Sequence, residues 1–224
     1  MKAPKKIWMS KEQIENCISE IDNFTVDLDS VDYNIELVKG YRNIIVVGPQ
    51  RSGTTFTGKA IAKDLNYSYV DENDFSIRDV NKFKNLNKKR NKVFQAPALT
   101  YKIHKLIQED DLVIFMVRKW SDILNSQNKR HKGKLSQYLI NESDMYDHTK
   151  SKYIEFDSNY NTLFDTHINE SDKYYLNPIY KAWKYYQSDI IKNSLALNYT
   201  SMDSHKMWVA KKDRENFKVK QTAI

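Results

Sequence analysis

The chain has one cysteine, five glycines and four prolines in 224 residues. A lone Cys17 excludes an internal disulfide framework, and metal-ligand spacing is absent as well, so Cys17 reads as a small apolar residue on a first helix. Long hydrophobic runs are missing too. The longest, residues 112–117, is strand-sized and far short of the ~18–20 apolar residues that a membrane span requires. The N-terminus, Met1-Lys2-Ala3-Pro4-Lys5-Lys6-Ile7-Trp8, is basic but lacks the apolar core of a signal peptide, and the expected location is therefore cytoplasmic. Acidic residues fall short of basic ones, 29 against 36, for a net charge of +7. With a mean hydropathy of −0.73 and 40% apolar residues, the composition fits one soluble α/β domain over residues 1–224, long enough for a sizeable core.

The scarcity of glycine makes its placement informative. Gly48, Gly53 and Gly58 all fall within Ile44-Ile-Val-Val-Gly-Pro-Gln-Arg-Ser-Gly-Thr-Thr-Phe-Thr-Gly-Lys-Ala-Ile-Ala62, which reads as a buried strand, a tight turn and a helix start. A helix start offers unpaired backbone N–H groups and a positive dipole end, and glycine lets the backbone close around an anion. The spacing Gly48-x-x-x-x-Gly53 fits a nucleotide phosphate loop, which would continue with Lys and then Ser or Thr. Here Thr54-Thr55 follows, and the nearest cation is Arg51. A second anion grip is read at strand Leu112–Val117, whose end carries Arg118, with Ser126 eight residues later on the next helix. Arg presents a planar fork to a phosphate, and Ser adds a hydroxyl.

Arg51-Ser52-Gly53-Thr54-Thr55 closely resembles the 5′-phosphosulfate loop of the sulfotransferases, whose donor is 3′-phosphoadenosine-5′-phosphosulfate (PAPS). Arg118 and Ser126 match the spacing with which that family holds the donor's 3′-phosphate, and Asp122 also stands where the family often has it. The resemblance covers roughly residues 43–130. It implies a three-layer P-loop fold with a central parallel sheet flanked by helices. It also implies donor binding by Gln50, Arg51, Ser52, Gly53, Thr54, Thr55, Arg118 and Ser126, and sulfuryl transfer without metal to a hydroxyl or amine. A glycan acceptor comes first and a tyrosyl peptide second. Lys92–Leu99 resembles the family strand ending in Lys-x-Pro, with Gln95 in place of the lysine. Cytosolic sulfotransferases take a base from a histidine whose position here is Pro97. The tyrosylprotein and heparan branches use a glutamate just after the second strand, which selects Glu72 as catalytic base, with Arg51 stabilising charge at the transferring group.

Two other readings stand beside this one. A small P-loop kinase is suggested by Lys59–Leu65 followed by Tyr69-Val70-Asp71, with Asp71 and Asp74 as acids for magnesium, although the phosphate-loop lysine is absent. A catalytically inactive nucleotide-binding scaffold is favoured by Gln95. Each residue alone is more often an ordinary strand-end or surface group; their joint order carries the reading.

Helix 10–22, strand 42–47, helix 54–65, strand 67–70, strand 92–95, helix 98–108, strand 112–117, helix 121–131, a helix from Asn177-Pro178 and a last strand at Leu195–Tyr199 are expected. Strands alternating with helices imply a parallel sheet covered on both faces, with ligands beyond the strands' carboxyl ends. The basic run at 82–92 reads as a solvated face. The second, at 129–134, is placed to attract an anionic donor or acceptor, and nucleic acid is not favoured. Residues 133–173 are a polar insertion: a lid, an acceptor-binding surface or neither. His104 and His205 read as structural or solvent-facing, and the basic tail from Lys211 to Lys220 is not matched to the family residue by residue.

Overall fold

The computed structural model describes residues 29–49, 51–75, 80–100, 103–119, 121–123, 126 and 191–208. The expected helices at 10–22 and from 177, the insertion at 133–173 and the basic tail lie outside them, as does Gln50. The chain divides into two compact units, one formed by Asp29–Arg118 with Glu170–Ile224 and the other by Met1–Leu28 with Lys119–Asn169.

The first unit is built on five strands, β1 (Asn43–Val47), β2 (Ser68–Val70), β3 (Lys92–Gln95), β4 (Leu112–Val117) and β5 (Ser194–Asn198). Their order is β2-β3-β1-β4-β5 and every pairing is parallel. β1 and β4 are near-continuous apolar runs, and β1, β3 and β4 are buried at every residue, as strands covered on both faces must be; in β3 this burial includes Lys92 and Gln95. Because all strands run the same way, Gly48, Asp71, Ala96, Arg118 and Tyr199, each just past a strand end, share one edge of the sheet.

Helix α1 (Thr54–Leu65) covers one face. Its Ala60, Ile61 and Ala62 pack with Ile44 and Val46 of β1, Val93 of β3 and Ile114 and Met116 of β4. Gly58 lies where an added Cβ would come 3.1 Å from the Tyr69 ring, so this glycine sets the close approach of α1 to β2. The helix ends at Asn66, in the left-handed region with φ +54°, and Tyr67 N–H bonds back to Ala62 O, which turns the chain directly into β2. Helix α2 (Val80–Asn87) covers the opposite face: Phe94, the neighbour of Val93 and so directed to the other side, meets Phe83 at 4.9 Å between ring centres. Among the described residues, no helix is long and apolar enough to cross a membrane.

The strand boundaries and α1 agree with the sequence reading to within a residue or so. The expected helix at 98–108 does not form as such. Pro97–Leu99 and Ile103–Lys105 are short 3₁₀ turns, and the Thr100 hydroxyl donates to Pro97 O at 2.6 Å, a local bond that competes with helix propagation. The run at 82–92 is not merely a charged face, since its first half is the α2 helix that seats Phe83.

At the far edge of the sheet, away from the strand exits, a buried ionic knot ties strand starts to α2. Arg42 Nη2 lies 2.6 Å from Asp111 Oδ1, and their side chains are 5% and 0% exposed. Asp111 Oδ2 accepts from Asn87 Nδ2 at 2.8 Å and from Gln108 N–H at 2.9 Å. Asn43 donates to Asn87 Oδ1 at 2.9 Å and accepts from Lys92 N–H at 2.9 Å.

Candidate functional site

Between β1 and β4 the chain order reverses, because β2 and β3 lie to one side of β1 and β4 and β5 to the other. Open parallel sheets leave a crevice at such a point, beyond the strand ends. The loop after β1 and Arg118 after β4 flank it.

Gly48 leaves β1 at φ +131°, a conformation that excludes a side chain, and its N–H is held by Thr100 Oγ1 at 3.1 Å. A turn then closes with Ser52 N–H on Pro49 O at 3.1 Å. Arg51 occupies its third position at φ +74°, where glycine or asparagine is usual. A non-glycine residue held in the left-handed region costs on the order of 1 kcal/mol or more and persists only where its surroundings fix it. Arg51 is exposed, while Ser52 is buried and turns its hydroxyl inward to Pro49 O at 2.7 Å.

Gly53 is the N-cap of α1 at φ +103° and brings no side-chain cap. The first N–H groups of α1 therefore face the loop mouth with the positive end of the helix dipole behind them. Thr54 is buried, with its Oγ1 taking a bond from Gln95 Nε2 at 3.4 Å, and Thr55 is exposed. A Cβ on Gly53 would lie 2.1 Å from two ring carbons of Tyr199. Gly53→Ala is thus strained twice, by its φ and by collision with the ring. The expected loss is roughly 1–3 kcal/mol, read as a lower urea midpoint with unchanged slope.

Arg118 reaches back to this loop. Its Nη1 donates to Arg51 O at 2.9 Å, and the guanidinium lies over the Tyr199 ring, 4.4 Å from the ring centre. The two cations singled out from sequence are thereby placed at one mouth. Ser126 is helical, as are residues 121–123, but they belong to the other compact unit.

On the β2 side the exit is acidic. Residues Glu72–Asp74 form a 3₁₀ turn capped by Asp71, which accepts from Asn73 N–H at 3.1 Å while Asp74 accepts from Asp71 N–H at 2.9 Å. Asp71 also takes the Tyr69 hydroxyl at 3.0 Å. Burial, then the Asp71 charge, hold the Tyr69 phenol well above its ordinary range. Asp71 and Asp74, the two carboxylates of the kinase reading, thus each accept a hydrogen bond within this turn. Glu72 stands outside that capping box, half-buried, its N–H directed to Gln95 Oε1 at 3.4 Å. Gln95 itself is buried and joins α1 to the acidic turn through its amide. The sequence reading did not single out Tyr199 as a site residue; its pairing with Gly53 and Arg118 spans most of the chain and leaves no local pattern.

No protein-family model matches the chain, and no curated protein matches it in sequence.

Proposed function

We propose that the protein is a PAPS-dependent sulfotransferase, moving a sulfuryl group to a hydroxyl or amine, with a glycan as the favoured acceptor class. The observation that carries this reading is the Arg118–Arg51 contact: the strand-end arginine and the glycine loop flank one crevice, as gripping the two ends of one adenosine nucleotide requires. In this scheme the α1 N–H groups and Arg51 hold the 5′-phosphosulfate, and Arg118 takes the 3′-phosphate. Glu72 removes the acceptor proton as the new S–O or S–N bond forms. The bond from sulfur to the bridging phosphate oxygen breaks in line, and the charge left on that oxygen is stabilised by Arg51 and the helix start. 3′,5′-Adenosine bisphosphate leaves as the second product.

The test is discrimination by the 3′-phosphate. Calorimetry should show the wild type binding 3′,5′-adenosine bisphosphate more tightly than 5′-AMP by about 10- to 100-fold, as one charge-assisted phosphate grip implies. Arg118→Ala should bind both alike. Equal affinities in the wild type contradict the proposal.

A further inference from the structure

Three side chains converge on Asp64, near the end of α1. The Tyr33 hydroxyl donates to Oδ2 at 2.9 Å, His205 Nε2 lies 2.8 Å from the same oxygen, and Lys206 Nζ is 2.9 Å from Oδ1. The Asp64 and His205 side chains are 8% and 6% exposed. Burial alone would raise the Asp64 carboxyl, but hydrogen bonds from His205, Lys206 and Tyr33 outweigh it and hold the group below its usual range. His205 Nδ1 accepts from Met207 N–H at 3.1 Å. With Nδ1 accepting, Nε2 is the ring nitrogen that donates to Asp64. With both ring nitrogens engaged inside the protein, this is not a catalytic His–Asp pair.

The clasp leads instead to the anion site. Beyond His205 the chain folds back, Trp208 N–H bonding to His205 O at 2.7 Å. The Trp208 ring stands edge-on to Phe56 of α1 at 4.9 Å and to Tyr199 at 5.6 Å. Tyr199 is thereby wedged between Trp208 and Gly53, with Arg118 on its face. Ser201, two residues on, is tied by Tyr33 N–H at 2.9 Å. Asp64 thus fixes both the start of the 199–208 segment, through Tyr33, and its end, through His205.

We propose that Asp64 and His205 are positioning residues for the anion grip: by clamping segment 199–208 onto α1, they hold Tyr199, and the Arg118 guanidinium seated on it, where Arg118 meets a 3′-phosphate. The proposal rests on the role given to Arg118 above. Its test is the affinity for 3′,5′-adenosine bisphosphate and for 5′-AMP in the wild type, His205→Leu and His205→Gln, each also combined with Arg118→Ala. Glutamine keeps one N–H donor for Asp64 and one acceptor for Met207 N–H, so it serves as the rescue. His205→Leu should weaken bisphosphate binding about tenfold and leave 5′-AMP binding unchanged, and His205→Gln should behave as wild type. In the Arg118→Ala background His205→Leu should have no further effect, since residues acting through one another are not additive. Unchanged bisphosphate affinity, equal weakening of both nucleotides, or an effect that adds to Arg118→Ala overturns the proposal. A wild type that does not distinguish the two nucleotides defeats the Arg118 reading beneath it. Should His205→Leu fail to fold, Asp64→Asn is judged by the same criteria.

Discussion

Glu72→Gln is expected to lower sulfuryl transfer by roughly 10²–10⁴-fold, the ordinary contribution of a placed general base, while leaving affinity for 3′,5′-adenosine bisphosphate unchanged. The substitution keeps shape and the backbone N–H that points to Gln95 but removes the proton acceptor. Single-turnover transfer to an acceptor found by screening, beside calorimetry of the donor product, separates the two effects. Normal turnover in the variant would move the base elsewhere. Asp71→Asn is the control, since Asp71 is engaged by Tyr69 and by the turn it caps; its loss is expected in stability before catalysis.

Arg42→Met is expected to have the largest effect on stability. It leaves the Asp111 carboxylate, 0% exposed, without its cation, and removing one partner of a buried ion pair costs about 3–5 kcal/mol. For a chain of this size that corresponds to a fall in Tm of more than about 6 °C. Arg42→Met combined with Asp111→Asn should recover part of the loss, because the neutral amide buries no unpaired charge and keeps an oxygen for Asn87 Nδ2 and Gln108 N–H. The knot lies at the opposite edge of the sheet from Arg118 and Gly53, so the folded fraction of either variant should bind nucleotide as wild type does. A thermal melt within 2 °C of wild type for Arg42→Met, a margin of about 1 kcal/mol or less, contradicts this role.

Much of the sheet was readable because its two central strands are nearly unbroken apolar runs: β1 carries Ile44–Val47 and ends at Gly48, and β4, Leu112–Val117, ends at Arg118. Helix α1 was equally plain, with Gly53 before it and Asn66 after it. Helix α2 was hidden because its lysines mask the inward spacing of Phe83 and Asn87. The stretch after Pro97 misled for another reason: its apolar residues fit a helical period, but Thr100 bonds locally to Pro97 and Gly48, breaking the run into separate turns. In the site, local motifs pointed to the glycine loop and to Arg118. What they could not reveal is the contact of Arg118 with the Arg51 carbonyl, or the Tyr199 ring that fills the space a Gly53 side chain would need. Those pairings depend on the order in which strands are laid side by side. His205 illustrates the same limit, since its partner Asp64 is 141 residues away and nothing near either residue marks the bond.

Thermal melting in EDTA, with 3′,5′-adenosine bisphosphate and with ATP in turn and then with ATP plus magnesium, puts the nucleotide assignment to its most direct test. At about 100 Kd of ligand the stabilisation from binding is about 2.7 kcal/mol, which is a shift of several degrees. A metal-independent rise with the bisphosphate, larger than any given by ATP with magnesium, is the expected result. No shift with the bisphosphate, together with a magnesium-dependent rise with ATP, would contradict it.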